Sequence, residues 1–199
     1  MCMEKTPWEK AYEFHGHICP GLAVGFRATQ LALEKLAAGR SGDEEIVAIV
    51  ENSACGVDAV QVLSGCTFGK GNLIFRDYGK HVYTFINRSN GGAMRVAVKP
   101  GAFDNPVYSD LRKKNAQGKA TPEDKQRLLE LQHQHINNIL NAGSDSFELK
   151  FVEVKMPPMA QIHKSVICDS CGEAVMDTRT VIAEDKVLCI PCAEEKSGR

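Results

Sequence analysis

Long apolar runs are missing from this sequence. The longest uninterrupted aliphatic stretch is Ile46 to Val50, far short of the roughly 20 residues a membrane helix needs. An excess of either charge is missing too: 24 Lys and Arg stand against 25 Asp and Glu, a formal net charge of -1. The whole molecule therefore offers no attraction to nucleic acid or anionic lipid, and neither partner is expected. The opening residues MCMEKTPWEK lack the apolar segment of a signal peptide. A cytoplasmic, reducing location is the expectation, and there cysteines serve as metal ligands or reactive thiols rather than disulfides. No repeat of 20 to 50 residues and no low-complexity segment is visible.

What is present is an ordinary globular composition of 199 residues, 43% of them hydrophobic, enough for one domain with a small appendage. The cysteines fall into two groups. Cys2, Cys19, Cys55 and Cys66 lie in the first third, and Cys168, Cys171, Cys189 and Cys192 near the end. Between them, two adjacent prolines in MPPMAQIHK mark an extended connector. Domains are therefore expected at 1–156 and 157–199. Within the first, Leu22, Phe26, Leu33 and Leu36 share a helical face from Pro20 to about Ala38, with Cys19 as its cap. A second long helix starts from Thr121 and Pro122, buries Leu128, Leu131, Ile136 and Ile139, and ends near Gly143. Residues 45–51 read as a buried strand, and LIFRDYG, HVYTFINR, AMRVAVK and FELKFVEV as four more. Irregular interleaving of strands and helices makes the fold class α+β.

The terminal quartet is the strongest chemical signal. Cys168 and Cys171 form one CxxC, Cys189 and Cys192 another, and 17 residues separate the pairs. Each CxxC wraps one side of a tetrahedral zinc ion, and the intervening residues fold back as a hairpin. With Gly172 after the first pair and a short helix after the second, the order suggests a treble-clef-like finger. Four thiolates leave zinc no open position, so the site reads as structural. Residues 160–199 hold five Lys or Arg against seven Asp or Glu, which disfavours phosphate binding by the finger.

The front cluster is less regular. HGHICPG places His15, His17 and Cys19 within five residues, just before a helix. A thiol at a helix N-terminus is favoured as thiolate, the form that binds metal or attacks an electrophile. ENSACGVDAVQ brings Cys55 to a second apparent helix start, with Asp58 three residues on, and Cys66 follows on a glycine-rich loop. Cys19 and Cys55 are the candidate catalytic thiols; the alternative is that these cysteines are simply buried. GKGN departs from the Walker spacing, so Lys70 reads as solvating a turn. His133 and His135 fall on different sides of the late helix and read as surface or core-edge residues.

The blocks HGHICPGLAVGFR, ENSACGVDAVQVLSGCTFGKGNL and DYGK, in this order, resemble the E-subunit family of molybdenum and tungsten formylmethanofuran dehydrogenases over roughly residues 10–155. A terminal four-cysteine finger occurs in part of that family. The resemblance implies an α+β core with a mixed five-stranded sheet flanked by helices, a metal-binding active site and a dimer. Carried to this sequence, the site would comprise His17, Cys19 and Cys55, with Cys66, Asp58 and His15 as further candidates. It would hold zinc or another soft-ligand metal, beside the structural zinc of the tail. The resemblance also implies partnership with a molybdenum or tungsten dehydrogenase and a link to methanogenesis. No pterin or iron-sulfur pattern is present, so the dehydrogenase reaction itself is not expected of this chain. Three readings follow: a metal-binding accessory or redox protein, a thiol-disulfide protein cycling Cys19 and Cys55, and a non-catalytic module docking on the dehydrogenase.

Overall fold

Four helices begin alike, with a capping side chain followed by proline. Thr6 precedes α1 (Pro7–His15), Cys19 precedes α2 (Pro20–Lys35), Asn105 precedes α4 (Pro106–Ala116) and Thr121 precedes α5 (Pro122–Leu140), while α3 (Gly56–Ser64) starts from Cys55. In each of the four, the capping atom accepts a backbone N–H of the first turn, and proline occupies a position whose own N–H would have had no partner. These positions come from a computed structural model, which describes residues 4–197; Cys2 lies outside them. The sequence reading anticipated α2 and α5. It did not anticipate α1 or α4, both of which border the site described below.

Strands β1 (Ile46–Val50), β2 (Leu73–Phe75), β3 (Val82–Asn87), β4 (Ala93–Val98) and β5 (Phe147–Phe151) form one sheet in the order β2-β1-β3-β4-β5. β1 and β2 run parallel and the other neighbours antiparallel, so the sheet is mixed and the class is α+β. Two strands are shorter than their alternation suggested. β2 stops at Phe75, after which residues 76–80 are irregular, and β5 stops at Phe151. Alternation along β1 splits two cores. Ile46, Ala48 and Val50 join Ala28, Leu31 and Ile139 under the helices, and Val47 and Ile49 join Ile86 and Ala93 on the opposite face. That second face is covered by Val152, Val154 and Met156 of the segment following β5. Arg88 holds this segment down by donating to the carbonyls of Pro157 at 2.6 Å and Pro158 at 3.0 Å. Each fully buried aliphatic side chain contributes about 1.5–3 kcal/mol through removal from water.

The loop entering β1 is tied by one carboxylate. Glu45 accepts from the Ser41 hydroxyl at 2.6 Å and from the Asp43 N–H at 2.8 Å. These bonds favour the ionised form, the hydroxyl most, and lower the Glu45 pKa to about 2. A depressed carboxylate pKa gives stability that is complete above the unfolded value of 4.5 and is lost as pH falls towards 2. Thermal melts of Glu45→Gln and the parent are therefore expected to differ most at neutral pH and to converge between pH 4.5 and 2. A gap between the two melts that stays constant across this range would overturn the assignment.

The chain divides between Met159 and Ala160 into two compact units. The second consists of two hairpins, β6 (Ser165–Ile167) with β7 (Ala174–Met176) and β8 (Thr180–Ala183) with β9 (Lys186–Cys189), followed by α6 (Ile190–Ser197). Among the described residues no helix is long and apolar enough to cross a membrane.

Candidate metal centre

Two glycines bring the helix starts together. A Cβ on Gly25 of α2 would lie 2.1 Å from the carbonyl oxygen of Gly56 in α3, and a Cβ on Gly56 would lie 2.5 Å from the Tyr83 hydroxyl. Only hydrogen at both positions lets the backbones of α2 and α3 approach this closely. Cys19, the cap of α2, and Cys55, at the head of α3, are both drawn up against Gly21, where a Cβ would sit 4.0 Å and 3.8 Å from their sulfurs. Tyr83 stands behind Gly56, almost wholly buried, and burial pushes its pKa up to about 12.

In front of this pair, α1 delivers His15 at its last turn, and Gly16, with φ of 88°, reverses the chain so that His17 returns beside it. The two imidazole rings lie 4.4 Å apart. Nε2 of His15 is 3.7 Å from Sγ of Cys19, and Nδ1 of His15 is 2.7 Å from a carboxylate oxygen of Asp58. One ligand atom each from His15, His17 and Cys19 lies within 4.8 Å of the others. Tetrahedral zinc, with Zn–N near 2.0–2.1 Å and Zn–S near 2.3 Å, sets neighbouring ligand atoms about 3.4–3.8 Å apart. The observed His15–Cys19 separation falls in that range, so the donor set fits a zinc-sized, soft-ligand ion. Asp58 completes a carboxylate–histidine arrangement that fixes which imidazole nitrogen faces the centre.

His17 and Cys19 are thus together as the sequence suggested, His15 stands closer than it suggested, and Asp58 supports His15 from behind. Cys55 lies outside the group of three ligand atoms, although its sulfur is near enough to influence Cys19. The expected thiolate at Cys19 is opposed by its burial. Burial pushes the Cys19 thiol up, the N–H of Leu22 opposes this at 3.4 Å, and the neighbouring Cys55 adds to the rise. Cys66 is elsewhere. It is fully buried in the main core at the far end of β1, its thiol donates to the Ile46 carbonyl at 3.2 Å, and burial raises its pKa. All described cysteines are free thiols.

His17, Cys19 and Cys55 open onto a cavity of about 530 Å³ whose other wall the sequence reading missed. Asn105, Tyr108 and Arg112 come from α4 and its cap, and Gln132 and His135 from α5. Tyr108 lies 5.3 Å from the His135 ring, and burial lowers the pKa of that imidazole. His135 does sit at the core edge, half-buried, but there it faces the candidate centre. Gln132 donates to the Ile18 carbonyl at 3.4 Å and so pins the histidine turn to α5. The signal that could have found this wall is Asn105-Pro106, a cap-and-proline start like that of α5.

In the second unit one atom each from Cys168, Cys171, Cys189 and Cys192 lies within 4.8 Å of the others, with 3.9 Å between the sulfurs of Cys171 and Cys189. Gly172, at φ 75°, turns the first knuckle. Backbone N–H groups of Cys171 and Cys189 hold the Cys168 thiol down to about 6, whereas the neighbouring sulfurs push Cys171 and Cys192 up, so without an ion the quartet favours its thiolate at Cys168.

Comparison with known proteins identifies both units. The family profile described as "FmdE, Molybdenum formylmethanofuran dehydrogenase operon" matches residues 14–148. The chain belongs to the FmdE family. Residues 164–198 match the prokaryotic dksA/traR C4-type zinc finger, so this FmdE-family chain carries a structural zinc site in its tail. A tungsten formylmethanofuran dehydrogenase FmdE-like protein from Syntrophus aciditrophicus has the same fold, with a TM-score of 0.64 and 27% identity, over 94% of this chain and 90% of that one. A curated relative from Archaeoglobus fulgidus, named "Probable S-adenosyl-L-methionine-binding protein", is 36% identical over 192 residues. The match covers 92% of this chain, which spans about half the length of that relative (51%).

Proposed function

We propose that this FmdE-family protein is a metal-binding accessory protein whose core holds zinc, or another soft-ligand ion, through His15, His17 and Cys19, with Cys55 at the same cavity. The tail zinc is closed by four thiolates, whereas three protein ligands in the core leave a coordination position facing the cavity. An ion there would supply a Lewis-acid position for a ligand entering from solvent. The observation that carries this reading is the His15 imidazole, oriented by Asp58 on one nitrogen and directed at the Cys19 sulfur with the other. A buried histidine filling space needs no such relay to a thiol.

Metal content of the full chain tests it. After loading and desalting under reducing conditions, two equivalents per chain are expected, falling to one in His17→Ala with Cys19→Ser. One equivalent in the parent would overturn the reading. Should that single equivalent be accompanied by a mass loss of two hydrogens and a Cys19–Cys55 linked peptide after mild oxidation, the thiol-disulfide reading would take its place. The near approach of both sulfurs to Gly21 favours that second reading.

A further inference from the structure

The α4 side of the cavity carries a cation with no acidic partner. Arg112 lines the cavity from α4, its guanidinium lies 5.7 Å from the centre of the Tyr108 ring, and no salt bridge or hydrogen bond engages it among the described residues. A guanidinium near an aromatic ring and without an acidic partner keeps N–H groups available, and it recognises a carboxylate through two parallel bonds. Among the described residues Asp104 is the one carboxylate in the cavity lining, and an oxygen of it lies 3.7 Å from where a Cβ on Gly101 would be, over its own loop. The remaining polarity also suits an anion. Cys19, Cys55 and Asn105 each precede a helix, and all three line the cavity, so the positive ends of three helices lie at its wall. Ser109 and Gln132 add hydrogen-bonding groups. A volume of about 530 Å³ holds a small organic molecule rather than a single water or hydroxide.

We propose that the ligand of the core centre is a small organic carboxylate bearing a soft donor such as a thiol, its donor atom directed to the His17–Cys19 end and its carboxylate bound by Arg112. This assignment rests on the metal reading above and names the class of molecule that the same site takes. Arg112 serves as a binding residue at the far end of the ligand. Because it is exposed and unpaired, its replacement leaves the fold intact.

The test uses the full chain loaded with cobalt(II), whose visible spectrum reports on coordination. The His17→Ala with Cys19→Ser variant supplies the baseline of the closed tail site. Two probes are titrated, 2-mercaptoacetate and 2-mercaptoethanol, which differ in the carboxylate. The core band is expected to respond to both, with mercaptoacetate binding at least about tenfold tighter, as a charged hydrogen-bonded pair provides. Arg112→Gln should bring mercaptoacetate to the affinity of mercaptoethanol while leaving the latter unchanged, and Arg112→Lys should fall between. Equal affinities in the parent, or an equal loss for both probes in Arg112→Gln, would overturn the carboxylate assignment and leave the metal reading standing. A core that takes up no cobalt beyond the baseline variant would overturn the metal reading and this assignment with it.

Discussion

Cys168→Ser combined with Cys189→Ser is expected to unfold the tail while the core domain stays folded. The reason is the poverty of the tail's own interior. Its apolar cluster has three buried residues, Cys168, Leu188 and Cys189, and two of those are zinc ligands. Ile182 is exposed over most of its surface, and Ile167 and Met176 are exposed as well. About 40 residues with one buried leucine have too small an apolar core to fold unaided. Zinc binding of about 10–16 kcal/mol in finger peptides makes up the deficit. Amide spectra of the double variant should lose the dispersed signals of residues 164–197 and keep those of the sheet, and protease should cut between Ala160 and Ser197 at once. A tail that remains protected without zinc would show that its hairpins hold themselves, and the structural role would fail.

The parts of the molecule that were legible in the sequence are those set by local rules. The quartet declares itself because both CxxC pairs and the residues between them close one site within 25 residues. α2 and α5 declare themselves because Pro20 and Pro122 follow capping residues and precede apolar faces of helical period. The same start was present at Thr6-Pro7, where Glu9 completes a reciprocal cap with Thr6, and at Asn105-Pro106. α4 has few apolar residues and buries only Tyr108, so periodicity gave no support to its start. The site was legible only in halves. His17 and Cys19 are neighbours along the chain, whereas the His15–Asp58 bond spans 43 residues and the wall of Tyr108, Arg112 and His135 is assembled by packing of α4 on α5. No spacing rule encodes such contacts. The expected thiolate at Cys19 illustrates the same limit, since the helix dipole is visible in sequence and the burial that opposes it is not.

What joins the two halves is the contact of α2 with α3, and the second large effect is expected there. Gly25→Ala would place a methyl 2.1 Å from a backbone oxygen and 2.4 Å from a backbone carbon of Gly56. Neither is the end of a flexible side chain, so the clash is relieved only by moving one helix away from the other. Ordinary overpacking of a core costs about 1–3 kcal/mol, and a backbone-on-backbone clash belongs at or above the upper end. For a chain of this size about 3 kcal/mol corresponds to roughly 6–12 °C in Tm. The displacement also has a chemical consequence, because Cys19 and Asp58 ride on opposite sides of this contact, one capping α2 and the other in the first turn of α3. Separating the helices draws Asp58 away from His15 and Cys55 away from Cys19, so core metal affinity should fall along with Tm. Gly39→Ala is the control. Gly39 has open space around its Cβ position and no left-handed backbone, and both Tm and the core metal equivalent should stay at the parent values. Loss of metal without loss of Tm in Gly25→Ala, or the reverse, would mean that helix spacing and the centre are uncoupled, and the account of how two distant stretches of sequence form one site would be wrong.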